Sequence, residues 1–264
     1  LHRNTGVALV TSVSSAAVGA TVTPIVALDV PDRSAAQAIV TRLGDSCRFY
    51  KVGLELFAAE GPDVVSWLRD AGKSVFVDLK LHDIPNTVRG AARSVARHGA
   101  SLLTVHASGG SEMVRAAVEG ANEGANEGTA GASAAHGGCG ILGVTILTSM
   151  DAAGIGEAWG RDAVDVTGEV VRLAGLVQTG GGVGIVCSGH EAAAVRAVFG
   201  NGLGLLIPGI RLPGGDAHDQ RRVMSPGAAA EAGARWLILG RAVTGAADPV
   251  RAMELVSSSL AGAA

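Results

Sequence analysis

Several features that mark particular classes of protein are scarce or missing in this chain of 264 residues. Its three cysteines, Cys47, Cys139 and Cys187, are far apart and form no Cys-x-x-Cys motif, which favours reduced, buried thiols in a cytoplasmic protein. The formal net charge of −3 gives no basic surface for nucleic acid or for an acidic membrane. No apolar run reaches the roughly 18 residues that a membrane-spanning helix needs.

Lysine is the scarcest charged residue. It occurs only at Lys51, Lys73 and Lys80, whereas arginine supplies the other 18 positive charges. Because this chain fills its surface with arginine, a lysine is expected where a guanidinium would not serve. Such positions include a compact point charge or a proton donor.

The chain does contain short apolar, β-branched runs that alternate with Ala/Leu/Val-rich helical patterns. Continuous apolar strands separated by helices predict parallel strands that are buried on both faces. Eight such units in a chain of this length favour a single-domain α/β fold, the closed (β/α)8 TIM barrel. The eight runs are 24–29, 48–53, 74–80, 101–107, 140–147, 183–189, 204–210 and 236–241.

An open, doubly wound sheet is the alternative fold. It would carry a Gly-x-Gly-x-x-Gly turn after the first strand, whereas residues 29–32 read Asp-Val-Pro-Asp. The barrel domain is predicted over 24–264, after a loose N-terminal extension at 1–23 for which an export signal is the alternative. A low-complexity insertion at 120–138, with the repeat GANEGANEG, is expected to be weakly ordered on the bottom face of the barrel.

Charged residues stand where the predicted strands end, which is where barrel enzymes place their active sites. Asp78 and Lys80 are two residues apart, so alternation along a strand should direct both side chains into the barrel mouth. Asp83 follows three residues later and can supply a second carboxylate to Lys80. A lysine between two carboxylates remains protonated and is well placed to act as an acid. The alternative is a buried ion-pair network with a structural role only.

The ends of the seventh and eighth strands form the usual phosphate site of such barrels. Arg211 and Arg241 offer planar forks for phosphate oxygens, and Gly240 allows backbone N–H groups to approach an anion. The loop that follows, 212–216, leads to Gln220 and is interpreted as a lid. The alternative is a pair of solvated arginines. For His82 and His106, whose neighbours lack the spacing of a zinc site, a structural role is favoured over metal binding.

These residues belong to longer motifs that resemble orotidine 5'-phosphate decarboxylase of the bacterial type. The resemblance covers residues 24 to about 255, and the motif DLKxHDIPNT, followed in order by PGIR, DQRR and GR, is highly specific. The matching segments are ALDV (27–30), KVG (51–53), FVDLKLHDIPNTV (76–88), VHASGG (105–110), VTILTSM (144–150), PGIR (208–211), DQRR (219–222) and GRAVT (240–244).

The resemblance implies a cofactor-free decarboxylation of orotidine 5'-phosphate to uridine 5'-phosphate and CO2, the last step of de novo UMP biosynthesis. Lys80 would protonate C6 of the pyrimidine, and Asp78 would lie against the substrate carboxylate. Asp29 and Lys51 would bind ribose hydroxyls, with Lys51 also part of the catalytic charge network.

The resemblance also implies a homodimer with shared active sites, in which Asp83 and Thr87 reach into the neighbouring subunit's site. Thr148 or Ser149 would contact the pyrimidine. Four residues would hold the phosphate: Arg211, Gln220, Gly240 and Arg241. No metal is expected.

Two rival functions remain open. A sister enzyme on the same barrel, such as hexulose-6-phosphate synthase or a keto-gulonate-phosphate decarboxylase, uses Asp-x-Lys-x-x-Asp together with Mg2+. A non-catalytic binder of nucleotide phosphates is the second rival, and the complete set of Asp78, Lys80 and Asp83 argues against it.

Overall fold

The computed structural model describes residues 22–128, 138–212 and 224–263. In these residues eight parallel strands pair in sequence order and the last pairs with the first, which closes a barrel. The predicted (β/α)8 fold is therefore confirmed, and an open sheet is excluded. The strands are β1 (Thr23–Leu28), β2 (Phe49–Val52), β3 (Ser74–Leu81), β4 (Leu102–His106), β5 (Gly140–Val144), β6 (Gly184–Val186), β7 (Gly204–Ile207) and β8 (Trp236–Leu239).

Helices connect the strands and cover the outside of the barrel. Short 3-10 turns at Gly44–Ser46 and Ala107–Gly109 complete two of the connections. The helices are α1 (Arg33–Leu43), α2 (Leu54–Glu60), α3 (Asp63–Asp70), α4 (Pro85–Arg97), α5 (Gly110–Glu127), α6 (Ala152–Trp159), α7 (Val166–Thr179), α8 (Ala192–Phe199), α9 (Pro226–Glu231), α10 (Arg241–Thr244) and α11 (Pro249–Ala261).

Several helices begin at residues that satisfy the free N–H groups of a first turn. The Asp32 carboxylate accepts a hydrogen bond from Ala35 N, at 2.8 Å, at the start of α1. The Ser225 hydroxyl accepts one from Ala228 N in the same way at the start of α9. Pro85 is the first residue of α4, a position that suits proline because proline has no backbone N–H group that would need a hydrogen-bond acceptor.

Apolar side chains form two separate layers, because alternate residues of each strand face opposite sides of the sheet. Ile25 belongs to a cluster inside the barrel, whereas its neighbour Val26 packs in the layer between strands and helices. The interior cluster occupies the barrel toward the strand starts, which leaves the polar residues at the strand ends to line the opposite end. Its members are Ile25, Phe76, Leu102, Leu142, Leu206 and Trp236.

The prediction for 120–138 is wrong over its first part. Residues 120–127 continue α5 as regular helix, in which Gly120, Ala121 and Gly124 are buried, the two glycines against α4. A Cβ at Gly120 or Gly124 would collide with the backbone carbonyl of Arg89 or Arg93, so these glycines allow the two helices to pack closely. The glycines of the repeat recur every four residues and therefore line one face of a helix. Residues 129–137 lie outside the described part of the chain.

The described residues also bear on two expectations from composition. No helix among them is long and apolar enough to cross a membrane. The three cysteines are free and buried, as predicted. Residues 1–21, the greater part of the predicted N-terminal extension, lie outside the described ranges.

Candidate active site

Four charged side chains from the first three strands form a series of alternating sign at the mouth of the barrel. Lys51 Nζ lies 2.7 Å from Asp29 Oδ1 and 3.8 Å from Asp78 Oδ2. Lys80 Nζ lies 3.0 Å from both carboxylate oxygens of Asp78. Asp78 therefore stands between two ammonium groups, and Lys51 stands between two carboxylates. The predicted pairing of Asp78 with Lys80 is present.

Lys80 has an unusual backbone. Its φ of +53° is the only positive value at a non-glycine residue in the described chain. The pairing of β3 with β4 is irregular here: Val77 pairs with Leu103 and Leu81 with Val105, so β3 advances four residues while β4 advances two. A β-bulge therefore brings the side chains of Asp78 and Lys80 together, whereas the sequence predicted that they would share one face of a regular strand.

These charges line a cavity of about 200 Å³ at the C-terminal end of the strands. Its walls combine the four charged groups with apolar side chains such as Ile146, Leu147 and Pro208. Thr148 also lines the cavity, while Ser149 is exposed and does not line it. Of the two residues proposed to contact a pyrimidine, the geometry favours Thr148. A planar ring could lie against the apolar wall with its reacting atom facing the charges.

Three of the four predicted phosphate residues lie at the same end of the barrel but outside this cavity lining. Arg211 follows β7, where its backbone N–H donates to Met224 O at 2.9 Å. Gly240 precedes α10, and Arg241 is the exposed first residue of that helix. Gln220 and the predicted lid beyond Leu212 fall within residues 213–223, which lie outside the described part of the chain.

Asp83 and Thr87 do not join the cavity of their own chain. The Asp83 carboxylate is exposed and accepts a hydrogen bond from Ile84 N at 2.6 Å. Thr87 is exposed near the start of α4. Among the ion pairs of the described residues, Lys80 contacts Asp78 and not Asp83, so the second carboxylate expected beside Lys80 is not supplied within the chain. The role of Asp83 across a subunit interface stays a prediction.

His82 and His106 contact each other beside the charged series, with ring centroids 5.5 Å apart. Burial, together with the neighbouring His82 and Lys80, lowers the pKa of His106. His106 is therefore mainly neutral near pH 7 and adds no third positive charge beside Asp78. In the described residues, no three His, Cys, Asp or Glu side chains are grouped so that they could hold a metal ion.

Two residues of the site were not predicted from the sequence. Thr104 on β4 is fully buried, donates to Asp78 Oδ1 at 2.9 Å and accepts from Lys80 N at 2.9 Å. Gly53 follows β2, and a Cβ there would lie 2.9 Å from both Asp29 Oδ1 and Lys51 Nζ. A polar residue inside the apolar run LLTVH was the available signal for Thr104.

Comparison with known proteins gives consistent results. The sequence model of the orotidine 5'-phosphate decarboxylase / HUMPS family matches residues 23–256. An orotidine 5'-phosphate decarboxylase of Anaeromyxobacter dehalogenans is 48% identical over 238 residues, covering 89% of this chain and 96% of that protein. One from Cutibacterium acnes is 44% identical, covering 88% and 94%. The crystal structure of the Lactobacillus acidophilus orotidine 5'-phosphate decarboxylase superimposes with a TM-score of 0.79 at 34% identity, covering 90% of this chain and 98% of that one.

Proposed function

The chain belongs to the orotidine 5'-phosphate decarboxylase / HUMPS family, and on that premise we propose that it converts orotidine 5'-phosphate to uridine 5'-phosphate and CO2. The observation that carries this proposal is the Asp78–Lys80 pair, 3.0 Å apart at the mouth of the barrel beside Lys51 and Asp29. Two carboxylates and two ammonium groups provide charge stabilisation and a proton donor in one place.

The decarboxylation requires both a positive charge near C6 and a proton donor. When the bond from C6 to the carboxylate breaks, CO2 leaves and the electron pair stays on C6 as a carbanion without an ordinary electron sink. The Lys80 ammonium stabilises that developing charge and then gives its proton to C6, after which it regains a proton from solvent. Side chains supply both the stabilisation of the carbanion and the proton, which solvent replaces, so we propose that no cofactor takes part.

The remaining site residues have supporting roles. Asp78, which lies between the two lysines, faces the position of the substrate carboxylate, and Lys51 with Asp29 binds the ribose hydroxyls. Thr148 contacts the pyrimidine. Arg211, Gly240 and Arg241, together with Gln220, bind the phosphate, whose binding energy favours the closed state that the transition state needs.

The test is to mix the purified protein with orotidine 5'-phosphate and to follow the loss of its ultraviolet absorbance, with and without a chelator. Turnover that the chelator leaves unchanged is the expected result. Turnover that the chelator abolishes would point to the metal-dependent chemistry of sister enzymes on this barrel. A protein that binds the nucleotide without turnover would be a binder that has kept the fold.

We further propose that the active protein is a homodimer with shared sites. Asp83 is exposed and separated from Lys80, although the family motif joins them in one Asp-Leu-Lys-x-His-Asp sequence. A second subunit would bring its Asp83 and Thr87 to this Lys80, and the two-fold axis would make the exchange reciprocal.

Mixing inactive variants tests this interface. Lys80→Ala and Asp83→Ala homodimers each carry a defect in both sites. After random subunit exchange, half of the dimers are heterodimers with one intact site, so about a quarter of the wild-type activity should return. Mixing Lys80→Ala with Lys51→Ala is the matched control, because both lysines contact the same Asp78 and every heterodimer site keeps a defect. If the first mixture stays inactive while exchange is confirmed, Asp83 serves its own chain.

We also infer a cytoplasmic location from the thiols. All three are free, and burial raises the pKa of Cys139 and of Cys187 to about 12, so neither is a reactive thiolate. Fractionation of cells that express the protein naturally would check this inference, and recovery from an oxidising compartment would contradict it.

A further inference from the structure

A closed ring of hydrogen bonds joins Thr104 to both members of the Asp78–Lys80 pair. The Lys80 backbone N–H donates to Thr104 Oγ1, and the Thr104 hydroxyl donates to Asp78 Oδ1, each at 2.9 Å. The same Asp78 oxygen accepts a hydrogen bond from Lys80 Nζ at 3.0 Å. Lys80 is therefore held at two points. Its backbone N–H is bound by the Thr104 hydroxyl and its ammonium by the Asp78 carboxylate, and these two groups are bonded to each other.

The hydroxyl has no freedom in this ring. A threonine hydroxyl has a single proton to donate, and Thr104 directs it at Asp78 while the Lys80 N–H fills an acceptor position. Thr104 is fully buried, so water does not compete for either bond. The orientation of the Asp78 carboxylate is consequently fixed from the β4 side, while the two lysines contact it from the mouth of the barrel.

The ring also explains how Lys80 keeps its unfavourable backbone. A left-handed conformation costs a non-glycine residue roughly 1–2 kcal/mol, and it persists only where the surroundings hold it. The bond from Lys80 N to Thr104 forms within the bulge, where β3 advances four residues against two of β4 and a regular ladder bond to β4 is lost. Without this bond, the bulge would lose a contact that holds the Lys80 ammonium over the cavity.

We propose that Thr104 is a positioning residue for the decarboxylation, one that sets the direction of the Asp78 carboxylate and the backbone of the proton donor Lys80. This inference rests on the proposed function for its rate measurements, but its geometric content does not depend on the substrate. Thr104 does not line the cavity, so its influence on catalysis passes through Asp78 and Lys80.

The substitution Thr104→Val tests the proposal, since valine keeps the shape and removes both hydrogen bonds. We expect kcat for orotidine 5'-phosphate to fall about tenfold to a hundredfold, the range found at metal sites when a ligand loses the hydrogen-bond partner that orients it. KM should change less than threefold, because the groups that bind phosphate and ribose remain. Thr104→Ser, which retains the hydroxyl, should restore kcat to within a few fold of wild type.

Thr145→Val is the matched control. Thr145, which directly follows β5, is also a buried threonine, but its hydroxyl donates to Val186 O, at 2.8 Å, and not to a charged side chain of the site. It should lower the melting temperature, because a buried hydrogen bond is lost, while leaving kcat within about twofold. Should Thr104→Val not fold, Thr104→Ala, which only removes atoms, replaces it.

Three results would overturn the proposal. One is a normal kcat in Thr104→Val or its alanine replacement, and another is a loss of kcat in Thr104→Ser as large as in Thr104→Val. The third is independent of activity: a crystal structure of the variant in which Lys80 keeps its positive φ and its contact with Asp78. If the wild-type protein fails to turn over orotidine 5'-phosphate, the proposed function fails, and this structure alone decides the role of Thr104.

Discussion

Two groups of ion pairs in this molecule lie in different surroundings, one of lysines with aspartates and one of arginines with glutamates. At the mouth of the barrel, the side chains of Lys51 and Asp78 are only 9% and 16% exposed. On the outside, Arg89 and Arg93 of α4 pair with Glu123 and Glu127 of α5. The side chains of Arg93 and Glu127 are 50% and 37% exposed. Lys51 and Asp78, at the centre of the first group, are largely shielded from water, whereas Lys80 and Asp29 at its two ends are 29% and 60% exposed. The second group remains in contact with water throughout.

The two groups therefore contribute differently to function and to stability. Charges shielded from water interact strongly but are costly to bury, so a protein gains little net stability from them and keeps them where chemistry needs a field. Exposed pairs cost little and contribute little. At the α4–α5 contact, close packing at Gly120 and Gly124 should therefore hold the helices together, and the exposed ion pairs should add little stability.

The largest effect is expected at Lys80. Lys80→Ala should lower kcat about 10⁴-fold or more, because it removes both the electrostatic stabilisation of the carbanion and the proton donor. Lys80→Arg should fail as well, since a guanidinium is too weak an acid to deliver the proton. A steady-state assay gives the rates, and calorimetry with a substrate analogue shows that both variants still bind. Near-normal turnover in either variant would remove Lys80 from the mechanism.

The next largest effect is expected at the phosphate end of the site. Arg241→Ala should lower kcat/KM for orotidine 5'-phosphate roughly a hundredfold or more, through the loss of charge-assisted hydrogen bonds. The phosphate-free nucleoside should be affected far less, and it serves as the control in the same assay. Equal losses with both substrates would show that the arginine acts elsewhere.

The parts that were predictable from the sequence follow from local rules. Strands buried on both faces must be apolar, and the charged residues at their ends could then be grouped in one mouth. The bulge at Lys80 could not be predicted, because it depends on a hydrogen bond to Thr104, 24 residues away. The prediction was wrong for the helical part, 120–127, because composition suggested low complexity, whereas the four-residue spacing of its glycines was the informative signal. Gln220 lies outside the described residues.

A smaller effect, on stability alone, should distinguish two glycines of the α4–α5 pair. Gly124→Ala should lower the free energy of unfolding by roughly 1–3 kcal/mol, because the added methyl meets the Arg93 carbonyl. Gly90→Ala is the matched control: its Cβ would point into open space, and the better helix propensity of alanine should raise stability by up to about 1 kcal/mol. Denaturant unfolding measures both. Changes of the same sign would contradict close packing as the constraint at Gly124.

The smallest effect is expected from the exposed ion pairs between α4 and α5. Arg93→Met keeps the apolar stem of the side chain and removes the pair with Glu127, whose carboxylate lies 3.0 Å from Arg93 Nε. Since both side chains are substantially exposed, the melting temperature should fall by about 2 °C or less. That difference should shrink further in 1 M salt, where the screening length is about 3 Å. Asp29→Asn is the comparison at the barrel mouth. There Lys51, whose side chain is only 9% exposed, loses its closest carboxylate. The resulting loss of turnover should persist in salt. If Arg93→Met instead lowers the melting temperature as much as Gly124→Ala, the ion pairs and not the glycine packing hold α4 against α5.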